Sequence, residues 1–219
     1  MAFKYLTLSL ALAGLSGVAA AADDTFLDGR LNLGIVPGIK SADYSGGGAS
    51  GTDTTSAKEG FGVGLGVEYG QYLDKQFGWV AGASLIEGSA KGDASGNGNS
   101  ELKETHYGVQ INAGAAFKVN KEIHIELTPF VGIGRAKTTV VGANDGSDAS
   151  ASGTFFDYGI TLAGFYTFND HWQGGLDIGY EGYKAKSSPS INFGAGSTTV
   201  DVTAKGSGLI AGLSLGYRF

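Results

Sequence analysis

Apolar residues recur at every second position through stretches of about ten residues, and that period limits what this chain can become. In Gly60–Tyr69 the residues Phe61, Val63, Leu65, Val67 and Tyr69 alternate with Gly60, Gly62, Gly64, Gly66 and Glu68. In Gly206–Phe219 the apolar set is Leu209, Ala211, Leu213, Leu215, Tyr217 and Phe219, set between Gly208, Ile210, Gly212, Ser214, Gly216 and Arg218. Successive side chains of a strand point to opposite faces, so each stretch is a ribbon with one oily face and one small or polar face. A helix needs a period near 3.6 and is excluded here. The 39 glycines of the chain would otherwise suggest disorder, but the sustained alternation argues against it.

Six more stretches follow the same rule: Phe26–Ile39, Phe77–Ile86, Glu104–Val119, Ile123–Lys137, Thr154–Phe168 and Trp172–Tyr183. Long polar segments (Ser41–Glu59, Glu87–Lys103, Val141–Gly153 and Lys184–Lys205) alternate with short turns around Gly70–Gln76, Asn120-Lys121 and Asn169-Asp170-His171. Eight strands with loops alternately long and short predict an all-β, eight-stranded, antiparallel up-and-down barrel.

The same pattern decides which face meets the core. A soluble barrel buries its apolar face. Here the opposite face carries Asp28, Arg30, Glu68, Lys118, Glu126, Asp157, Asp177, Glu181 and Arg218, and this set faces the interior if the oily face is turned outward. The apolar faces are free of charge through the strand cores. A Lys or Arg at mid-membrane on a lipid face costs ~2–4 kcal/mol, so an uncharged band suits acyl chains while the ionic residues pair within the lumen. Arg135 stands near an outer strand end, where a long side chain reaches head groups. Aromatics mark both ends. Tyr69, Phe77, Trp79, Phe117, Phe168, Trp172 and Tyr217 form a girdle beside the short turns, and Phe61, Tyr107, Phe156, Tyr158 and Tyr180 lie toward the long loops. Two such belts match two bilayer interfaces. The chain is expected to be a transmembrane barrel with a packed interior, in which inward glycines of the second and eighth strands make room for Arg30, Phe130, Phe155 and Phe165.

Residues 1–22 read as a cleavable secretory signal: Lys4, a short apolar run from Leu6 to Val18, then Ala20-Ala21-Ala22 before Asp23. The barrel domain is expected over 23–219. A formal net charge of −6 disfavours a nucleic-acid partner. Outer-membrane lipid and lipopolysaccharide are the partners expected of the oily face, and a monomer is expected.

Catalytic and metal signals are weak. His106 faces inward near an outer strand end and His124, with Glu126, near the other end, too far apart to cooperate, while His171 sits in a turn. Gly206-Ser207-Gly208-Leu209-Ile210-Ala211 fits a dinucleotide fingerprint by letter, but no helix follows it. Asn144-Asp145-Gly146-Ser147-Asp148 lacks the spacing of a calcium loop. No enzyme, metal or cofactor is expected.

Three motifs carry a resemblance. Pro129-Phe130-Val131-Gly132-Ile133-Gly134, Asn169-Asp170-His171-Trp172 and Gly216-Tyr217-Arg218-Phe219 resemble the fifth strand, the turn before the seventh strand and the C-terminal signature of small outer-membrane barrels of the OmpA, OmpX and OmpW kind. The resemblance implies that Leu215, Tyr217 and Phe219 are read by the barrel-assembly machinery. It also implies a non-enzymatic barrel serving envelope structure or surface contact, or alternatively a small channel for ions or small apolar solutes.

Overall fold

The computed structural model describes residues 25–46, 49–94, 101–142, 148–192 and 197–219. The expected signal sequence and most of the Asn144–Asp148 segment lie outside them. The described strands are β1 (Thr25–Val36), β2 (Ile39–Gly46), β3 (Ala49–Tyr72), β4 (Phe77–Ala94), β5 (Glu101–Lys118), β6 (Ile123–Val141), β7 (Ala149–Thr167), β8 (Trp172–Ser187), β9 (Ser190–Asn192), β10 (Ser197–Thr199) and β11 (Asp201–Arg218). Each long strand pairs antiparallel with its neighbours in sequence. The ring closes where β1 lies between β3 and β11: Leu31 faces Leu65 on one side and Leu215 on the other. β2 continues β1 along the same stave, so the wall has eight staves. Closure pairs β1 with both β3 and β11, so no long strand of the ring is an edge strand, the condition a β-structure must meet in lipid.

The stave divides at Pro37-Gly38. Proline has no N–H to give the ladder, and a Cβ on Gly38 would run into the Lys58 main chain. The register shifts beside the division, at Lys205/Gly206 on β11 and at Lys58/Phe61 on β3.

The three short turns share one construction. Asp74 Oδ1 accepts from the N–H groups of Gln76 and Phe77 at 2.7 and 2.6 Å. Asn120 Oδ1 does so from Glu122 and Ile123 at 2.8 and 2.7 Å, and Asn169 Oδ1 from His171 and Trp172 at 2.9 and 2.7 Å. An Asx side chain thus replaces the backbone partners that a tight reversal leaves free. The amides of Phe77 and Gln76 hold the Asp74 carboxyl below its ordinary 3.8. A depressed carboxyl stabilises above its unfolded value and loses that contribution as pH falls through the folded one. We therefore expect the wild-type barrel to lose urea resistance more steeply than Asp74→Asn between pH 5 and pH 2, measured as unfolding midpoints across that range.

Alternation fixes what each strand presents. On β6 the outward residues from Ile123 to Ile133 are apolar and exposed, while the inward His124, Glu126, Thr128 and Phe130 are buried. Eleven residues make a span of the length a tilted strand needs to cross the hydrocarbon. Ile111, Leu162, Leu176 and Leu213 are exposed on the same band.

Beyond that band the polarity of the wall inverts. The outward positions become Lys91, Lys103, Arg135, Lys137, Lys184, Lys186 and Lys205, while the inward positions become Leu102, Ala136, Ala185, Val202 and Ala204, all buried. Strand therefore runs into all four segments expected as loops. Ser41–Glu59 holds β2 and the start of β3, Glu87–Lys103 holds the ends of β4 and β5, β7 begins at Ala149, and β11 begins at Asp201. Above the membrane the wall stands in water, so its outer face turns polar and its inner face apolar. The interleaved polar residues make such strands read as loops.

Candidate functional site

The lumen of an eight-stranded barrel is just wide enough for side chains to meet across it, and three levels of contact follow from that width.

At the level nearer the short turns, Arg30 reaches from β1 across to β6 and grips Glu126 with both terminal nitrogens, Nη1 to Oε2 at 2.6 Å and Nη2 to Oε1 at 2.7 Å. Nη1 also lies 2.7 Å from Glu68 on β3, and Nη2 donates to Asp28 at 3.2 Å. Arg218 on β11 closes on Asp28 through Nε and Nη2, at 2.8 and 2.9 Å. Asn112 donates to Glu68 at 2.8 Å, and His124 Nε2 lies 3.1 Å from Glu126. The two guanidinium planes rest on aromatic faces, Arg30 at 4.1 Å from the Phe165 centroid and Arg218 at 4.4 Å from Phe26. The planar fork of Arg matches a carboxylate bidentately, which is how one cation organises carboxylates from three strands. Below this level Phe26, Tyr72, Val80 and Ala116 form a small apolar cluster at the mouth.

The middle level is a cavity of about 200 Å³. Its lining mixes apolar and polar side chains, and the polar ones bond to one another: Gln110 donates to Asp157 at 2.9 Å, Thr128 and Thr161 share a 2.7 Å hydrogen bond, and Ser214 donates to Asn32 at 2.7 Å. Asp177 and Glu181 also face it.

The outer level is apolar. Ile39, Leu102, Phe155, Tyr183 and Val202 come from five different strands and meet in one buried cluster with small residues between them. His106 stacks flat on Phe155, centroids 4.0 Å apart and planes 5° apart, and its Nδ1 lies 3.1 Å from Glu104.

The inward set read from the sequence is thus divided. Asp28, Arg30, Glu68, Glu126 and Arg218 form one network. Asp157, Asp177 and Glu181 line the cavity above it. Lys118 belongs to neither: its ammonium sits 4.2 Å over the Tyr72 ring at the mouth, because the last inward position of β5 has already passed the level of Arg30. The glycines that make room also differ from those expected. On β3, Gly62 and Gly64 face Val36 and Asn32 while Gly70 takes Phe26, whereas Phe130 lies against Gly159 of β7 and Phe165 against Gly175 of β8. A Cβ at Gly159 would collide with the Phe130 ring. Glu104, Leu102, Tyr183 and the outer apolar cluster went unread. Their signal is the swap of the apolar parity from Leu209 to Val202 along β11, across Lys205 and Ser207.

Beside the short turns, Tyr69 meets Trp79 at 5.5 Å, Phe77 meets Phe117 at 5.0 Å and Trp172 meets Tyr217 at 5.2 Å between ring centroids; Phe168 is exposed in the same tier. Leu215, Tyr217 and Phe219 all face outward, and Tyr217 and Phe219 meet edge to face at 5.2 Å. His171 stacks on Tyr217 and its Nδ1 donates to the Arg218 carbonyl at 3.0 Å. The fingerprint-like Gly206–Ala211 segment is plain strand within β11.

No curated protein matches the chain. Solved structures that share its outline include Ail, the attachment invasion locus protein of Yersinia pestis, at 16% identity over 89% of this chain and 99% of that one, TM-score 0.40. OprG from Pseudomonas aeruginosa is similar at 17% identity over 90% and 96%, TM-score 0.41. The outer membrane protease OmpT from Escherichia coli is similar at 10% identity over 90% and 95%, TM-score 0.43. A family model described as the outer membrane protein beta-barrel domain matches residues 8–219. The chain therefore belongs to the outer membrane protein β-barrel domain family, and its place is the outer membrane.

Proposed function

We propose that this barrel is non-enzymatic and that its lumen is closed, so that it serves envelope structure or surface contact through its extracellular strands and loops. The observation that supports closure is the stacking of two obstructions on one axis: the Arg30 network with Phe165, and the outer cluster around Phe155 and Tyr183. A hydrated ion would have to displace both. His106 is occupied in packing, stacked on Phe155 and held by Glu104 beneath the apolar cluster. That arrangement favours a structural role over catalysis.

Reconstitution in planar bilayers tests closure. The wild-type barrel is expected to show no large, stable conductance, and Phe155→Ala/Tyr183→Ala is expected to raise brief ion-conducting openings above it. A stable wild-type pore would overturn the reading.

A second reading, a route for small apolar solutes, draws on the division of the stave at Pro37-Gly38. There Ser207–Ile210 of β11 have no ladder partners on β1 or β2, and Leu209 beside the gap is 78% exposed. Faster entry of a small aliphatic solute into vesicles holding the barrel, without ion conductance, would favour this second reading.

A further inference from the structure

We propose that the outer rim of β6, β7 and β8 is a binding surface for the phosphate groups of anionic lipid in the outer leaflet. The proposal rests on membrane placement, which family membership supplies, and is independent of whether the lumen conducts.

Above Ile133 the outward positions of β6 are Arg135, Lys137, Thr139 and Val141. Those of β7 are Ser150, Ser152 and Thr154, and those of β8 are Lys184 and Lys186. Four cations and four hydroxyls occupy these positions with no Asp or Glu among them, on a chain whose net charge is −6. The register sets them in rows. Arg135 faces Thr154, which faces Lys186, and Lys137 faces Ser152. A row that places a hydroxyl between two cations offers a phosphate a donor on each side and one beneath it.

Elsewhere on the rim acids stand among the cations. Lys58 pairs with Asp93 at 2.9 Å, Lys103 with Glu101 at 3.4 Å and Lys205 with Asp43 at 2.5 Å, with Lys91 set between Lys58 and Lys103. The ion pairs seen on the rim involve Lys58, Lys103 and Lys205 rather than Arg135, Lys137, Lys184 or Lys186. All four are exposed. Asp43, paired with Lys205, also feels the charge of Lys184, but like charges set this close are unfavourable, and an external anion relieves them.

The occupant is a lipid because of what lies directly below. Lys184 faces Phe156, and Phe156 faces Ile133, both of them exposed and apolar. A phosphate on the basic row leaves its acyl chains beside these side chains, so head group and tail are met by one continuous face. A free anion or a soluble polyanion would use only the upper half.

The test uses the full barrel folded in zwitterionic bicelles with EDTA present, so that bridging divalent ions are absent. Diphosphoryl lipid A and its dephosphorylated form are titrated in as probes. Wild type is expected to bind the phosphorylated form at least tenfold more tightly. Arg135→Gln/Lys186→Gln is expected to lose about tenfold or more of that affinity, while Lys75→Gln/Lys121→Gln, which removes cations at the opposite end, keeps it. Folding of each variant is checked by its heat-modifiable mobility. Equal binding of the two lipids by wild type would overturn the proposal without recourse to any variant. So would displacement of the lipid by millimolar inorganic phosphate, or by heparin, either of which would assign the patch to a soluble anion.

Discussion

Replacing Arg30 by Met is expected to cost ~3–5 kcal/mol of unfolding free energy, the largest loss of any single lumenal substitution. Arg30 is the hub between Glu126, Glu68 and Asp28. Met keeps much of its length and packing on Phe165 but removes the charge. Three carboxylates are then left in a space where Asp28 and Glu126 are almost wholly buried, with Arg218 still on Asp28 and His124 beside Glu126. Most of the cost is the uncompensated burial of those acids rather than the worth of the pairs themselves. A double variant, Arg30→Met/Glu126→Gln, is accordingly expected to be less destabilised than the sum of its two single changes. Urea titrations of the folded barrel in lipid vesicles, arranged as a double-mutant cycle, measure both quantities. A loss below ~1 kcal/mol for Arg30→Met, the range of exposed pairs, would mean that the network does not hold the staves together.

The second large effect is on the outside. Ile111→Arg is expected to destabilise by ~2–4 kcal/mol, whereas Thr105→Arg, three outward positions higher on the same strand, costs ~0–1 kcal/mol. Ile111 is 56% exposed in the middle of the oily run that ends near Tyr107, so in the bilayer its replacement meets acyl chains. Thr105 lies opposite Lys137, among residues that already stand in water. The same titrations read both variants. Equal costs at the two positions would move the boundary of the lipid band away from Tyr107.

The band itself was legible in the sequence, because alternation needs no knowledge of partners: Phe61 to Tyr69 and Leu209 to Phe219 declare their oily face residue by residue. Inward orientation of Asp28, Arg30 and Glu126 followed from the same parity. Their mutual contact did not, since Arg30 and Glu126 are 96 positions apart and only the closed register brings β1 and β6 across from each other. Lys118 shows the limit of parity alone. It gives the face but not the height, and two residues of height separate a network member from a side chain at the mouth. The outer walls were missed for a different reason. Ala42, Leu102 and Val202 are too small or too sparse to mark a core singly, and their exposed neighbours are the lysines, threonines and serines typical of loops.

The inversion of the wall has a mechanical consequence. Each strand carries its own waterline, the step at which grease gives way to ammonium groups on the outside, as between Ile133 and Arg135 or Leu209 and Lys205. Sinking the cylinder by one pleat pair, roughly 7 Å along a strand, would drag the basic rim into hydrocarbon, and lifting it by as much would strand the girdle of Trp79 and Trp172 above its own interface. The side chains of the wall thus ballast the molecule at one depth.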